Sequence, residues 1–224
     1  MPGVGLATSP IFFYLVDEFS STRFFSRCLP SLIAAGFPLV VSFPAPAAQD
    51  PAPTPSAWAS PVSVPIRDAV SLEAGYGYHT EMERISFSRS WGTRWFSDQT
   101  WALSGYWDAS VGRWTPHAAS GGNHEVNDYG ITPVFRYAPT TPSGDCIPFL
   151  EAGVGVHYLS QHDLYAGHDM TTYFQFGDHI GAGLTLGPQH DWDVMMRLQH
   201  LSNAGIQNPN PGINFLQLRV SHWF

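Results

Sequence analysis

The chain ends in "MRLQHLSNAGIQNPNPGINFLQLRVSHWF", Met196 to Phe224, and this stretch sets a His and a Ser two residues apart, His200 and Ser202. Acyl transfer is the chemistry that pair would do. An imidazole is a base near neutral pH, and a hydroxyl becomes a nucleophile when a base within hydrogen-bond reach takes its proton. The surrounding run reads as an apolar strand, in which positions i and i+2 share a face. His200 and Ser202 therefore stand together with Val194, Met196 and Leu198, while Met195, Arg197, Gln199 and Asn203 take the opposite face. A base and a nucleophile on the greasy side of a strand make sense only in terms of the element that carries them.

Composition narrows what that element belongs to. Charged residues are 12% of the 224, about half the share of a soluble globular domain. No uninterrupted apolar run of about 18 residues follows the N-terminal region, which excludes a bundle of membrane helices. A membrane barrel is not excluded, because alternation dilutes its apolar residues and keeps the mean hydropathy, here -0.09, near that of a soluble protein. Lys is absent, the ten basic residues are scattered Arg, and the formal net charge is -8, so no nucleic-acid footprint exists.

The N-terminus reads as an export segment. Arg23 and Arg27 precede the apolar "CLPSLIAAGFPLVV", and Ala45-Pro46-Ala47 offers a small-residue cleavage site, which defines a targeting segment over 1–47. Pro30 and Pro38 argue against a buried helix there. Of the two cysteines, Cys28 falls in this segment, so cleavage leaves Cys146 without an intramolecular partner. Residues 48–65 form a Pro-rich leader expected to be disordered.

From residue 66 onward, alternating segments separated by Gly, Pro, Asn and Asp clusters recur at Val70–His79, Arg84–Trp95, Trp101–Trp114, Tyr129–Tyr137, Ile147–Tyr158, Tyr173–Leu186, Trp192–Ser202 and Ile213–Phe224. In the fifth, Leu150, Ala152, Val154, Val156 and Tyr158 share one face and Glu151, Gly153, Gly155 and His157 the other. Periodicity alone also permits a soluble sandwich or lipocalin-like barrel. Export, and Trp192, Tyr137, Tyr158 and Phe224 near strand ends on the apolar parity, favour an all-β, eight-stranded antiparallel transmembrane β-barrel over 66–224, placed in the bacterial outer membrane. The terminal Phe224 resembles the last residue of outer-membrane strands, with His222 where such strands commonly carry Tyr. Strand seven then runs outward and brings His200 and Ser202 to the outer leaflet, where lipid offers neither a hydrogen-bond partner.

The run "HLSNAGIQNPNPGIN" (His200 to Asn214), supported by "PFLEAGVGV" (Pro148 to Val156) and "FQFGD" (Phe174 to Asp178), resembles the outer-membrane lipid A 3-O-deacylases, the PagL family. The resemblance implies hydrolysis of the ester-linked 3-hydroxyacyl chain at position 3 of lipid A, without metal or organic cofactor. It implies Ser202 as nucleophile, His200 as general base, and Asn203 and Asn210 beside the site. Asn210, or the amides around Ala204 and Gly205, would donate to the oxyanion. The family's acid, fourteen residues after the His, falls on Asn214, and an amide cannot neutralise an imidazolium.

Register supplies a second acid candidate. If Gly187–Asp191 forms the turn, Leu186 faces Trp192, Asp178 faces His200 and Phe176 faces Ser202. The expected partners are lipopolysaccharide and outer-membrane lipid, with a homodimer as the assembly allowed. Rival readings are a non-enzymatic barrel and an esterase or acyltransferase acting on phospholipid. Other candidates weigh less. His157, His162 and His168 lie in or beside a loop expected to be mobile, without metal-ligand spacing. Glu81, Glu83 and Asp108 are expected to line the lumen with Arg, and "GAGLTLG" to be strand packing, since no helix follows it.

Overall fold

In a computed structural model, residues 61–224 are described. The expected targeting segment and all but the last residues of the leader lie outside the described residues. The alternating segments form β1 (Asp68–Gly77), β2 (Thr80–Trp95), β3 (Trp101–Pro116), β4 (Val126–Pro139), β5 (Cys146–Leu159), β6 (Phe174–Leu186), β7 (Trp192–Ser202) and β8 (Ile213–Trp223). Each pairs antiparallel with its sequence neighbours, and β8 pairs with β1 to close the sheet. The result is the expected eight-stranded antiparallel barrel, and closure removes the sheet's edges. Among the described residues no helix is long and apolar enough to cross a membrane, which does not bear on strands.

Most strand boundaries shift by one to three residues from expectation, and two departures carry more. β2 starts at Thr80 rather than Arg84 because Tyr78 and His79 make a tight link, His79 at φ 51°, so that pairing resumes at once through the polar Thr80–Glu83 stretch. Val62 and Ser63 pair with Arg94 and Thr93, so the last residues of the expected leader add to the sheet. The expectation for Cys146 after cleavage turns on Cys28, which lies outside the described residues.

The apolar parity faces outward. Ile85, Val111, Ile131, Val154, Ile180, Met196 and Leu198 are all exposed, whereas Glu73, Arg84, Asp108, Asp128, Glu151, Arg197 and Arg219 are buried inside. A soluble barrel would reverse this, so the outer surface is one built to meet lipid. The interior is filled by an ion-pair network. Glu73 binds Arg197, Arg219 (2.9 Å) and Arg84 (3.5 Å); Asp108 binds Arg219 (2.7 Å) and Asp128 binds Arg84 (2.7 Å). Arg136 lies 2.6 Å from both Glu151 and Asp193. Asp108 is thus in the lumen as expected, but Glu81 and Glu83 are not, since their parity turns them outward. In the Gly-rich stretch of β6, a Cβ on Gly183 would lie 2.5 Å from the Phe149 ring, which confirms packing as its role.

The start of β1, the end of β8 and the short turns 96–100, 140–145 and 187–191 share one end, and the loops 117–125, 160–173 and 203–212 the other, which is the outer end. There an apolar plug of Met82, Trp114, Leu159, Leu164, Met170, Leu201, Ile213 and Phe215 caps the polar core. Loop 160–173, expected to be mobile, supplies Leu164 and Met170 to this plug, both fully buried, and carries a small hairpin between 163–165 and 168–169. His157, beside that loop near the end of β5, faces the interior as its parity implies, 2.7 Å from Asp128.

The network generates a stability prediction. Arg219→Met removes the cation of buried Asp108, and breaking a buried pair costs about 3–5 kcal/mol. The temperature at which the folded band converts to the unfolded one in unboiled SDS gels should drop clearly. Arg89→Met, which breaks only the exposed pair with Asp68, should leave it where it was; equal shifts in the two variants would contradict the network's role.

Candidate active site

Interior commitments on β7 set which of its side chains face out. Arg197 binds Glu73 and donates to Gln217 (2.6 Å), Gln199 is bonded to Arg84 (2.9 Å) and Gln217 (2.8 Å), and Leu201 is fully buried in the plug. His200 and Ser202, between and beyond them, have only the outer face. On β8, Ile213 and Phe215 are held in the plug, Phe215 5.1 Å from the Trp114 ring, and this turns Asn214 outward.

Cross-strand register assembles the group. His200 is paired with Asn214 on β8 and with Asp178 on β6, and Ser202 with Phe176. The register inferred from the 187–191 turn is the one observed. Of His200's two neighbours, the amide holds the ring: Nδ1 lies 2.7 Å from Asn214 Oδ1. An amide oxygen only accepts, so Nδ1 carries the proton and Nε2 keeps its lone pair. This is the tautomer a general base needs. Asp178, on the other side, is exposed and has no hydrogen-bond partner among the described residues.

The loop 203–212 closes the site from above. Asn203, expected beside the oxyanion, is a buried anchor whose polar groups are all used. Its Nδ2 donates to the Thr171 hydroxyl (2.9 Å) and the Gln207 carbonyl (2.9 Å), and its Oδ1 accepts from the Gly205 amide (2.9 Å). Buried polar groups require such partners, and the physical reason for its burial is parity, since Asn203 continues the inward row of β7. The same bond commits the Gly205 N–H. Asn210 uses only its carbonyl oxygen, accepting from the Asn203 amide at 3.1 Å, and its NH₂ remains to donate. Phe176 is half-buried and meets Phe174 edge-on at 5.0 Å, giving an apolar wall opposite Ser202.

Two contributors escaped the sequence. Thr171, at φ 62°, ties loop 160–173 to the site by donating to the Pro209 carbonyl (3.0 Å) while accepting from Asn203. Gly212, at φ 61°, lies against the imidazole, where a Cβ would come 2.7 Å from His200 Cε1. Its place two residues before Asn214 in a Pro-Gly pair was the available signal. Among the described residues no group of His, Cys, Asp and Glu could hold a metal ion.

The model of the family described as lipid A 3-O-deacylase (PagL) matches residues 75–223. The lipid A deacylase PagL of Bordetella bronchiseptica is 32% identical over 176 residues, 75% of this chain and 90% of the relative. That of Pseudomonas aeruginosa is 35% identical over 136 residues, 60% and 73% of the two chains. Among solved structures, the outer membrane enzyme PagL superposes with a TM-score of 0.60 at 30% identity, covering 69% of this chain and 98% of that one.

Gly212 makes the geometry testable. A methyl group there must push the ring off its place, and misplacing a reacting group by about 1 Å costs on the order of a hundredfold in rate. Gly212→Ala should insert normally and lose activity on that scale; a variant with unchanged turnover would show that the ring position is not held from this side.

Proposed function

The chain belongs to the lipid A 3-O-deacylase family, and on that premise we propose that Ser202, His200 and Asn214 hydrolyse the ester-linked 3-hydroxyacyl chain at position 3 of lipid A in the outer leaflet of the outer membrane. The observation that carries this is the His200–Asn214 bond at 2.7 Å beside a serine of the same lipid-facing parity. A soluble esterase would bury such a group in a cleft. Here it lies at the outer end of the apolar belt, where an ester of a membrane lipid is already concentrated and oriented.

Each step follows from the atoms available. His200 Nε2 takes the Ser202 proton as Oγ attacks the ester carbonyl. The oxygen that gains charge is met by the Asn210 NH₂ or the Ala204 N–H, since the Asn203 and Gly205 donors are already used. Protonated His200 then gives its proton to the departing sugar oxygen, and a water repeats the sequence on the acyl-enzyme. Asn214 keeps the ring oriented but does not balance its transient charge. The interior network is not in contact with this face and acts by holding β7 in place.

Expression in a strain with intact lipid A tests the activity by mass spectrometry. Loss of one 3-hydroxyacyl chain is expected. Unchanged lipid A with released phospholipid fatty acid would favour the phospholipid esterase, and no lipid change with an inserted barrel would leave a non-enzymatic protein. Ser202→Ala and His200→Ala should each reduce turnover by about three orders of magnitude or more, because members of one catalytic unit are lost together.

The orienting residue is tested by ranking. Asn214→Ala should cost more than Asp178→Asn, and Asn214→Glu, which supplies the family's carboxylate, should raise kcat. The reverse order would return the role to Asp178. For assembly we propose a homodimer in the membrane plane, supported by an apolar belt that two copies can share; only monomer after cross-linking in membranes would remove it.

A further inference from the structure

The two groups free to meet the oxyanion, the Ala204 N–H and the Asn210 NH₂, stand at the ends of a stretch with little to hold it. Ala204 through Pro209 are all exposed, and Ala204 and Gly205 take left-handed φ of 53° and 77°. Packing cannot fix donors there, so hydrogen bonds must. Among the described residues, the hydrogen bonds that reach 204–209 from another loop come from the Thr171 hydroxyl. That oxygen lies 3.0 Å from the carbonyl of Pro209, the residue before Asn210, and accepts from Nδ2 of Asn203, the residue before Ala204, at 2.9 Å. It also has the Met170 carbonyl of its own loop at 2.8 Å. One hydroxyl thus meets the residue that precedes each donor.

By its backbone alone, position 171 is a poor place for Thr. At φ 62° a β-branched side chain is crowded, whereas Gly would adopt the conformation freely. Such a residue persists only where its surroundings over-determine it. Here they do. The Asp169 carboxylate accepts from the Thr171 N–H at 2.7 Å and meets His162 Nδ1 at 2.7 Å, and the neighbouring Met170 side chain is fully buried in the plug. The loop is therefore anchored on the barrel before Thr171 reaches across to the site. Gly would relieve the backbone and bring no hydroxyl; Thr brings the hydroxyl at a backbone cost.

We propose that Thr171 is a positioning residue for the oxyanion donors: its hydroxyl sets where the Ala204 N–H and the Asn210 NH₂ stand, so that loop 160–173, which supplies no reacting group, controls the rate of acyl transfer. This rests on the deacylase reading. Donors aimed at a developing oxyanion act in the transition state and not on the bound ester, so loosening them lowers kcat and leaves KM where it was. Displacement of such groups by a fraction of an ångström to about 1 Å corresponds to roughly a tenfold to hundredfold loss.

The test measures release of 3-hydroxy fatty acid from lipid A in detergent micelles by the full barrel and its Thr171→Val, Thr171→Ser, Thr171→Gly and Asn210→Ala variants, with folding checked by the unboiled gel band. Thr171→Val keeps the shape of the side chain and loses the hydroxyl, so kcat should fall about tenfold to a hundredfold at unchanged KM. Thr171→Ser should restore most of the rate. Thr171→Gly, relieved of the crowded backbone, should fold as well as the unaltered barrel and still be as slow as Thr171→Val, which a merely structural role would not produce. On the Asn210→Ala background, Thr171→Val should cost several-fold less than it does alone, because one of the donors it places is gone. If Thr171→Val failed to insert, Thr171→Gly would be read in its place. The proposal is overturned by an unchanged kcat without the hydroxyl, by a loss confined to KM, by Thr171→Ser as slow as Thr171→Val, or by equal costs on the two backgrounds. Unaltered protein that inserts and leaves lipid A intact would fail the deacylase reading and this proposal with it, whereas an active barrel indifferent to Thr171→Val would fail this proposal alone.

Discussion

Side-chain parity on a closed barrel is the constraint on which the site depends. Once Arg197, Gln199 and Leu201 are committed to the interior, His200 and Ser202 can face only lipid. A slip of one residue would turn every one of these groups over, putting Arg197 into the membrane and the His200–Ser202 pair into the packed core. The pairs from Arg197 to Glu73 and Gln217 are thus what hold Ser202 and His200 on an apolar surface. Closure extends this to the neighbours. With β6 and β8 both in register against β7, Asp178 and Asn214 arrive on opposite sides of one imidazole.

The interior is layered in a way that serves the outer end. Below lies the polar network, in which four guanidinium groups meet five carboxylates across the strands. Above it, the plug around Trp114 and Phe215 seals the mouth and holds Leu201, Ile213 and Phe215, the residues that alternate with the site. Loop 160–173 packs into that plug and passes its order to loop 203–212 through Thr171 and Asn203. Catalytic groups on strands, braced by packed neighbours, keep their geometry better than groups on free loops.

Much of this was legible in the sequence because period-two alternation reports faces directly. The parity of His200 and Ser202, the inward row of β7, and the pairing of Asp178 with His200 all followed from counting through a turn. Less local features did not. Two cross-strand neighbours offered themselves to one imidazole, and only the path of loop 203–212 and the place of Gly212 decide that the ring leans to Asn214. Leu164 and Met170 are scattered among polar residues, so nothing marked loop 160–173 as a packed cap. Glu81 and Glu83 were misplaced because β2 began earlier than its polar start suggested. Asn203 looked available until the structure showed its donors committed to Thr171 and Gln207.

The central claim is that Ser202 is a nucleophile activated on the lipid-facing surface. Covalent trapping tests it most directly: folded barrel in micelles is treated with a lipid-tailed fluorophosphonate and mapped by peptide mass spectrometry. One adduct on Ser202 is expected, absent when the barrel is unfolded first and absent in His200→Ala. No adduct on folded, correctly inserted protein, or labelling of a different serine that persists without His200, would contradict it.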